Sequence, residues 1–412
     1  MQRESVSYWQ ATSDDVLLSQ ELPHTVDVAV IGGGICGAAT CYWLARAGVS
    51  VALLERQAIG AGATGRNGGF VSAGPAGGYR DARMRLGEEI ARSVMVLTTE
   101  SKALLKQIVQ EEEIVCEYRE PGTVRLAVGE EQMKICQQEV ALQHADGFPS
   151  IGLSRAQVQD LIKTELAPDI LGGRLSPEQG LIHSARFVRG LAQAARRRGG
   201  SLYQAEVTHM VSTPNHVILQ TARGTTQAGA VVLAVNAWTG QLLPALADII
   251  VPVREQMLAY SPLPTVFTTG VTVDLVAGEY MQQTPDGTLV IGGCNTVAPH
   301  EDIGIWESTP TSIVQESIEQ VVPRLFPKLA PLRVIQRWAG LLDCTTDRHP
   351  VVDVAPGMSR VWFTAGFSGH GMPFGVKFGS LLLPAVTSGS LPVALQPFRL
   401  DRPTLNKWSE RK

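Results

Sequence analysis

The chain has 412 residues, 44% of them hydrophobic and 18% charged, with a formal net charge of −4. That length exceeds one ordinary hydrophobic core, so two domains or one domain with a large insertion are expected, and the composition excludes a disordered chain. The slight acidity gives no electrostatic reason to expect nucleic acid, and the six cysteines lack the C-x-x-C spacing of a zinc site or a disulfide framework. No metal is expected, and reduced thiols fit a cytoplasmic location. The first residues, MQRESVSYWQATSDD, are polar and acidic and lack the apolar core of a signal peptide. The late apolar run SLLLPAVTSGSLPVAL is broken by prolines and glycine, so no membrane span is expected.

Residues 26–56 read VDVAVIGGGICGAATCYWLARAGVSVALLER. The spacing predicts a buried parallel strand over 26–31, a helix over 35–47 capped by Gly48, and a second strand over 49–54 closed by Glu55. Gly32, Gly34 and Gly37 complete G-x-G-x-x-G. Gly32 makes the turn, Gly34 lets backbone approach a pyrophosphate, Gly37 lets helix pack on strand, and Glu55 receives ribose hydroxyls. Ile35 and Cys36 at the helix start, and Arg56 after the acid, are assigned to the same dinucleotide. The thiols of Cys36 and Cys41 read as inert packing. The motif does not separate FAD from NAD.

Residues 60–70, GAGATGRNGGF, are too glycine-rich for a helix or strand interior. We read them as a loop bringing backbone N–H groups to phosphates and a planar ring, the alternative being a linker. Ala63, Thr64, Arg66, Asn67, Gly68 and Gly69 line the cofactor, and Arg66 supplies a charge. Phe70 faces the substrate.

Helical spacing continues over 88–111, and 121–129 predicts a hairpin strand. A helix is expected within 178–200, with Ser184 as cap. Strands over 201–212 and 231–240 return to the nucleotide domain, where Val207 is a backbone contact for adenine. Strand-rich sequence follows from 251, with PDG at 285–287 as a turn and a helix in SIVQESIEQVVPRLF. In VWFTAGFSGHGMPFGVKFGSLLLPAV (361–386) a strand enters a glycine turn, and Pro373 opens a helix whose N-terminus points N–H groups at an anion. Gly369, His370, Gly371 and Met372 are assigned to the cofactor there; His370 either donates to it or is a turn histidine satisfied by backbone.

Taken together, VIGGGICG…LLER, GATGRNGGF, TPDGTLVIGG, WAG and GFSGHGM resemble the D-amino-acid-oxidase-type family of FAD-dependent oxidoreductases over nearly the whole chain. SYWQAT, GRNGG and WAGLLDCTTDRHP look most like its γ-glutamylputrescine oxidoreductase branch, near glycine and sarcosine oxidases. The resemblance implies an α/β fold, with a discontinuous Rossmann-type FAD domain (1–80, 166–245 and 333–412) and a mixed-sheet substrate domain (81–165 and 246–332). It implies non-covalent FAD and oxidation of the C–N bond of a primary or secondary amine, such as an ω-amino compound, by hydride transfer to flavin N5. The electron acceptor is O2 or another species, and the oligomeric state is left open.

Family amino-acid oxidases carry an arginine for the substrate carboxylate where this chain has Leu342, followed by Asp343. The alternative reading is an oxidase or dehydrogenase of glycine, sarcosine or a D-amino acid, with Arg254 or another arginine as the clasp. A reading of another class is a flavin-binding subunit without independent turnover. The lysine that sarcosine oxidases use toward oxygen corresponds to Val290, and Cys344 is out of register with their FAD-tethering cysteine. Gly340 is assigned to the cofactor, and Tyr260, Tyr280, Trp338, Leu342, Asp343 and Phe374 to the substrate. His370 and Asp343 are the catalytic candidates, with an Asx-turn reading of Asp343 beside its substrate role.

Overall fold

A computed structural model describes residues 5–329 and 331–410. The parts of the expected domain ranges on residues 1–4, 330 and 411–412, including the start of the polar N-terminal stretch, lie outside the described residues.

The first eight-stranded sheet runs Val351–Val354, Val361–Ala365, Gly224–Leu233, Thr25–Ile31, Val51–Glu55, Ser201–Gln204, with Val207–Ser212 and Val217–Thr221 as an antiparallel extension. Its central pairs are parallel. The continuous apolar runs form buried strands because helices cover one face. Ile35–Arg46, Ser184–Arg197, Glu88–Glu111 and Gly371–Ser388 share that core, with Leu44, Leu191, Leu105 and Phe378 almost wholly buried. The ends of Thr25–Ile31, Val51–Glu55, Gly224–Leu233 and Val361–Ala365 all point the same way, toward the crevice where such sheets bind ligands.

The second eight-stranded sheet runs Val334–Cys344, Val251–Tyr260, Leu289–Gly292, Glu279–Gln283, Gly270–Val273, Thr123–Val128, Ile170–Ser176, Ile151–Ser154. Helix Ser312–Leu325 covers its outer face through Val314, Ile318 and Val322. The inner face looks at the first sheet's strand ends across a cavity.

Several local expectations shift. Strands 170–176 and 334–344, expected with the nucleotide domain, belong to the second sheet because their hydrogen-bond partners are 123–128 and 251–260. Helix Glu88–Glu111, expected with the substrate domain, packs its apolar stripe into the first core. Strand 123–128 pairs with 170–176 and 270–273 and forms no hairpin. The helix from Ser184 is capped one residue earlier, where the His183 ring accepts from the Arg186 N–H at 3.2 Å.

Candidate active site

The cavity between the sheets has a volume of about 910 Å³, at the upper end for ligand pockets. At its nucleotide end Gly32 adopts φ +107°, and a Cβ on Gly37 would collide with the Gly32 carbonyl oxygen, so turn and helix require both glycines. The Glu55 carboxylate accepts from Gly33 N at 2.7 Å and from Gln57 N at 2.8 Å. Burial raises its pKa, and those backbone donors oppose the shift. Ile35 N donates to Thr64 Oγ1 at 3.0 Å, which joins the glycine turn to the second loop.

That loop is held from both sides. Ser7 caps the short helix Tyr8–Ala11 and donates to the Gly65 carbonyl at 2.5 Å. Trp9 Nε1 donates to the Asn67 carbonyl at 2.5 Å, and Gln10 Nε2 to those of Gly60 and Ala61 at 3.1 and 2.9 Å. From the second sheet, Trp338 Nε1 donates to the Arg66 carbonyl at 2.8 Å. The Arg66 guanidinium, expected to face phosphate, donates to the carbonyls of Ala61, Ser5 and Ala339. It fastens the loop to the strand.

The opposite wall is the inner face of the second sheet. Alternation puts Val253, Glu255 and Met257 of one strand, with Gly340 and Leu342 of its neighbour, on the cavity. Glu255 lies directly opposite Gly340; its Oε1 is buried without a partner among the described residues, and burial raises its pKa to about 7. The Tyr280 ring meets Phe70 edge-on at 6.1 Å.

The segment around Asp343 is the end of a strand, so the expected Asx-turn is not there. Asp343 Oδ2 reaches across to accept from Gly366 N at 2.7 Å. The Asx-turn is made by Asp347, whose Oδ1 accepts from His349 N at 3.2 Å, while the Asp347 carboxylate also pairs with Arg402 at 2.7 Å. Burial raises the Asp343 pKa to about 7 and lowers that of His370 to about 4, so the imidazole is neutral at neutral pH. His370 Nδ1 is buried with no partner among the described residues, and His370 precedes the first turn of Gly371–Ser388.

The cavity brings together Gly32, Gly34, Ile35, Cys36, Glu55, Arg56, Ala63, Thr64, Arg66, Asn67, Gly68, Phe70, Val207, Tyr280, Gly340, Leu342, Asp343 and 369–372. It leaves out five expected residues. Gly37 and Gly69 serve close backbone approach instead. Tyr260 falls on the outer sheet face with Leu258 and Ile318. Trp338 is covered by the loop and by Tyr8 and Trp9. Phe374 points into a cluster with Phe367, Phe378 and Phe398. Arg254, considered as a carboxylate clasp, pairs instead with Asp302 at 2.7 Å.

Sequence reasoning missed Glu255, Asn236, Trp238, Thr123, Arg125 and Arg174, all on the cavity. An acid amid the apolar VPVREQMLAY was a legible signal for Glu255. Among the described residues there is no group of three or more metal-ligating side chains, and no helix long and apolar enough to cross a membrane.

A family model described as FAD dependent oxidoreductase (DAO) matches residues 27–382, and the chain belongs to that family. It is an FAD-dependent oxidoreductase acting on the C–N bond of amines or amino acids. γ-Glutamylputrescine oxidoreductase of Escherichia coli (strain K12) is 26% identical over 389 residues, covering 90% of this chain and 86% of that one. Glycine oxidase of Geobacillus kaustophilus (strain HTA426) is 25% identical over 390 residues, covering 92% and 98%. The crystal structure of glycine oxidase from Geobacillus kaustophilus shares the fold, with a TM-score of 0.79 at 22% identity, covering 92% of this chain and 99% of that one.

The residues present fit FAD. A glycine turn, an acid at the next strand end, and Arg56 lying 4.2 Å over the Trp238 ring beside Val207 make a nucleotide berth. It is continuous with the chamber between Gly68, Gly340 and Gly371.

Proposed function

We propose that the chain oxidises a primary or secondary amine to its imine, favouring ω-amino compounds over α-amino acids, and that its FAD is held without a covalent bond. The observation that carries this reading is the sheet wall beside the 366–371 loop. Val253, Glu255, Met257, Gly340 and Leu342 make an apolar face with one acid and no cation. An α-amino acid reacts at the carbon bearing its carboxylate, which would press that charge against Leu342 and Glu255. An amine without that group meets no such repulsion.

When bound, the flavin supplies the hydride acceptor for the carbon beside nitrogen. The chain's residues prepare the amine. Glu255, with a pKa raised to about 7 by burial, takes the ammonium proton and frees the nitrogen lone pair. Phe70, Tyr280, Met257 and Leu342 exclude water. Neutral His370 and the first N–H groups of Gly371–Ser388 would hold the electron-rich edge of the cofactor. Asp343 holds the loop that presents them, through Gly366. O2 or another acceptor then receives the electrons.

The test is anaerobic mixing of the purified flavoprotein with a panel of amines, ω-amino compounds, glycine, sarcosine and D-alanine, scored by bleaching of the flavin band. Lacking a charge-assisted clasp beside the reacting carbon, the α-amino acids should trail by about ten- to a hundredfold in kcat/KM. Glycine, sarcosine or D-alanine as best substrate would overturn the preference. Bleaching by none of the compounds would favour a flavin-binding subunit without turnover.

A further inference from the structure

At the far side of the second sheet, strands Thr123–Val128 and Ile170–Ser176 pair so that Arg125 lies directly opposite Arg174. Like charges in that relationship repel. The pairing continues across the sheet as one transverse row: Arg174, Arg125, Thr272, Tyr280, Gly292, Met257. Directly opposed residues share a face, and every side chain of this row lines the cavity. Two positions along, Ser176 stands opposite Thr123, and both also line it.

Arg174 Nη1 donates to Ser176 Oγ at 2.8 Å, while its Nε and the Thr123 hydroxyl are buried without partners among the described residues. Arg174 makes no ion pair among the described residues, and desolvation lowers its pKa. Of the acids at this end, Glu139 and Glu178 are engaged by other groups, and Asp274 meets only Arg125, at the rim. The Glu139 carboxylate accepts from the N–H groups of Tyr79 and Arg80 at 2.7 and 3.0 Å. Glu178 faces Lys102 at 3.6 Å, and Asp274 faces Arg125 at 3.4 Å on the exposed rim. A half-buried guanidinium whose Nε has no partner among the described residues, set opposite a like charge and opening on a ligand chamber, has a hydrogen bond left for an anion.

We infer that the Arg174 end of the cavity is a binding subsite for a carboxylate carried by the substrate at the end remote from its reacting amine, with Arg125, Thr123 and Ser176 around it. This rests on the amine reading above. The strand bearing Tyr280 stands two strands from Arg125 and three from Arg174, roughly 10–14 Å at the usual spacing of neighbouring strands. Glycine and sarcosine are too short to reach it from the reacting end. A long ω-amino carboxylate spans it, its charge drawing the chain along the row while the amine end lies by Tyr280 and Glu255.

The experiment compares 8-aminooctanoate with its neutral N-methylamide as substrates of the flavoprotein and of Arg174→Met. The wild type should prefer the carboxylate, and the variant should lose ten- to a hundredfold of that preference ratio while retaining its flavin absorbance. Independently, suberate, a dicarboxylate with no amine, should raise the wild-type Tm, and Arg174→Met should abolish the rise. Should Arg174→Met not fold, Arg125→Gln replaces it, with the same directions expected. An unchanged preference ratio, or a suberate shift absent from the wild type or equal in both proteins, overturns the subsite. If no amine bleaches the flavin, the amine reading fails and the suberate shift alone decides the subsite.

Discussion

Asp343 Oδ2 accepts a hydrogen bond from the backbone N–H of Gly366 at 2.7 Å, and the Asp343 carbonyl accepts a second from Ser368 N at 2.8 Å. The two bonds join the end of the substrate-side strand to the loop that opens the C-terminal helix. Asp343→Ala leaves the buried Gly366 N–H without its acceptor and should cost about 1–3 kcal/mol in stability. Asp343→Asn keeps an acceptor oxygen and should melt close to the wild type near pH 4, where the folded carboxyl is protonated, with its flavin in place. If Asp343→Ala melts like the wild type while both variants lose kcat/KM, the carboxyl acts on substrate and not on the loop.

The same carboxyl makes stability depend on pH with a definite sign. Burial raises its pKa from 3.8 to about 7, so between those values the folded chain keeps a proton that the unfolded chain has released. Stability should therefore fall as pH rises through that window and level off above it, by up to about 4 kcal/mol for this group. Glu255, raised from 4.5 to about 7, adds to the slope in the same sense. Thermal melts of the wild type and Asp343→Asn from pH 4 to 8 should show a shallower decline in the variant. Parallel curves would mean that Asp343 is ionised throughout.

Trp338 separates cofactor support from substrate contact. Its buried indole N–H serves the Arg66 carbonyl, and Trp338→Phe removes that donor while filling most of the space. The variant should hold FAD about ten- to a hundredfold more weakly, corresponding to roughly 1.4–2.7 kcal/mol, with its ranking of substrates unchanged. FAD titration of the stripped protein measures the first quantity and the bleaching panel the second. A reordered panel with unchanged FAD affinity would return Trp338 to the substrate wall.

Cys344 bears on how the cofactor is attached. Burial, and the neighbouring Asp343 carboxyl after it, raise its thiol to about 12, so almost no thiolate exists at neutral pH. Acid precipitation should release the flavin into the supernatant, and Cys344→Ser should purify equally yellow. Flavin retained in the pellet by the wild type and lost from Cys344→Ser would identify a tether.

The nucleotide end was legible because its signals are local: Gly32, Gly34, Gly37 and Glu55 act within one βαβ unit, at spacings backbone geometry imposes. The substrate wall was less so, because a strand residue's face depends on partners far away in sequence. Tyr280 and Tyr260 are both aromatic strand residues, yet one faces the cavity and the other the outer core. Arg125 and Arg174 become neighbours only through register, and nothing near either residue announces the other. Asp343 could be read as a turn acid or as a substrate contact, and neither reading shows in sequence that its hydrogen bond goes to a glycine 23 residues on.

The loop at 60–70 is backed by an indole 272 residues later in the chain. During synthesis the glycine fingerprint leaves the ribosome well ahead of the donor that braces its companion loop, which follows 272 residues later. A growing chain therefore carries a half-built berth while those 272 residues are added. Flavin capture becomes a late event, and nascent chains arrested before Trp338 should emerge colourless even when their first sheet has begun to form.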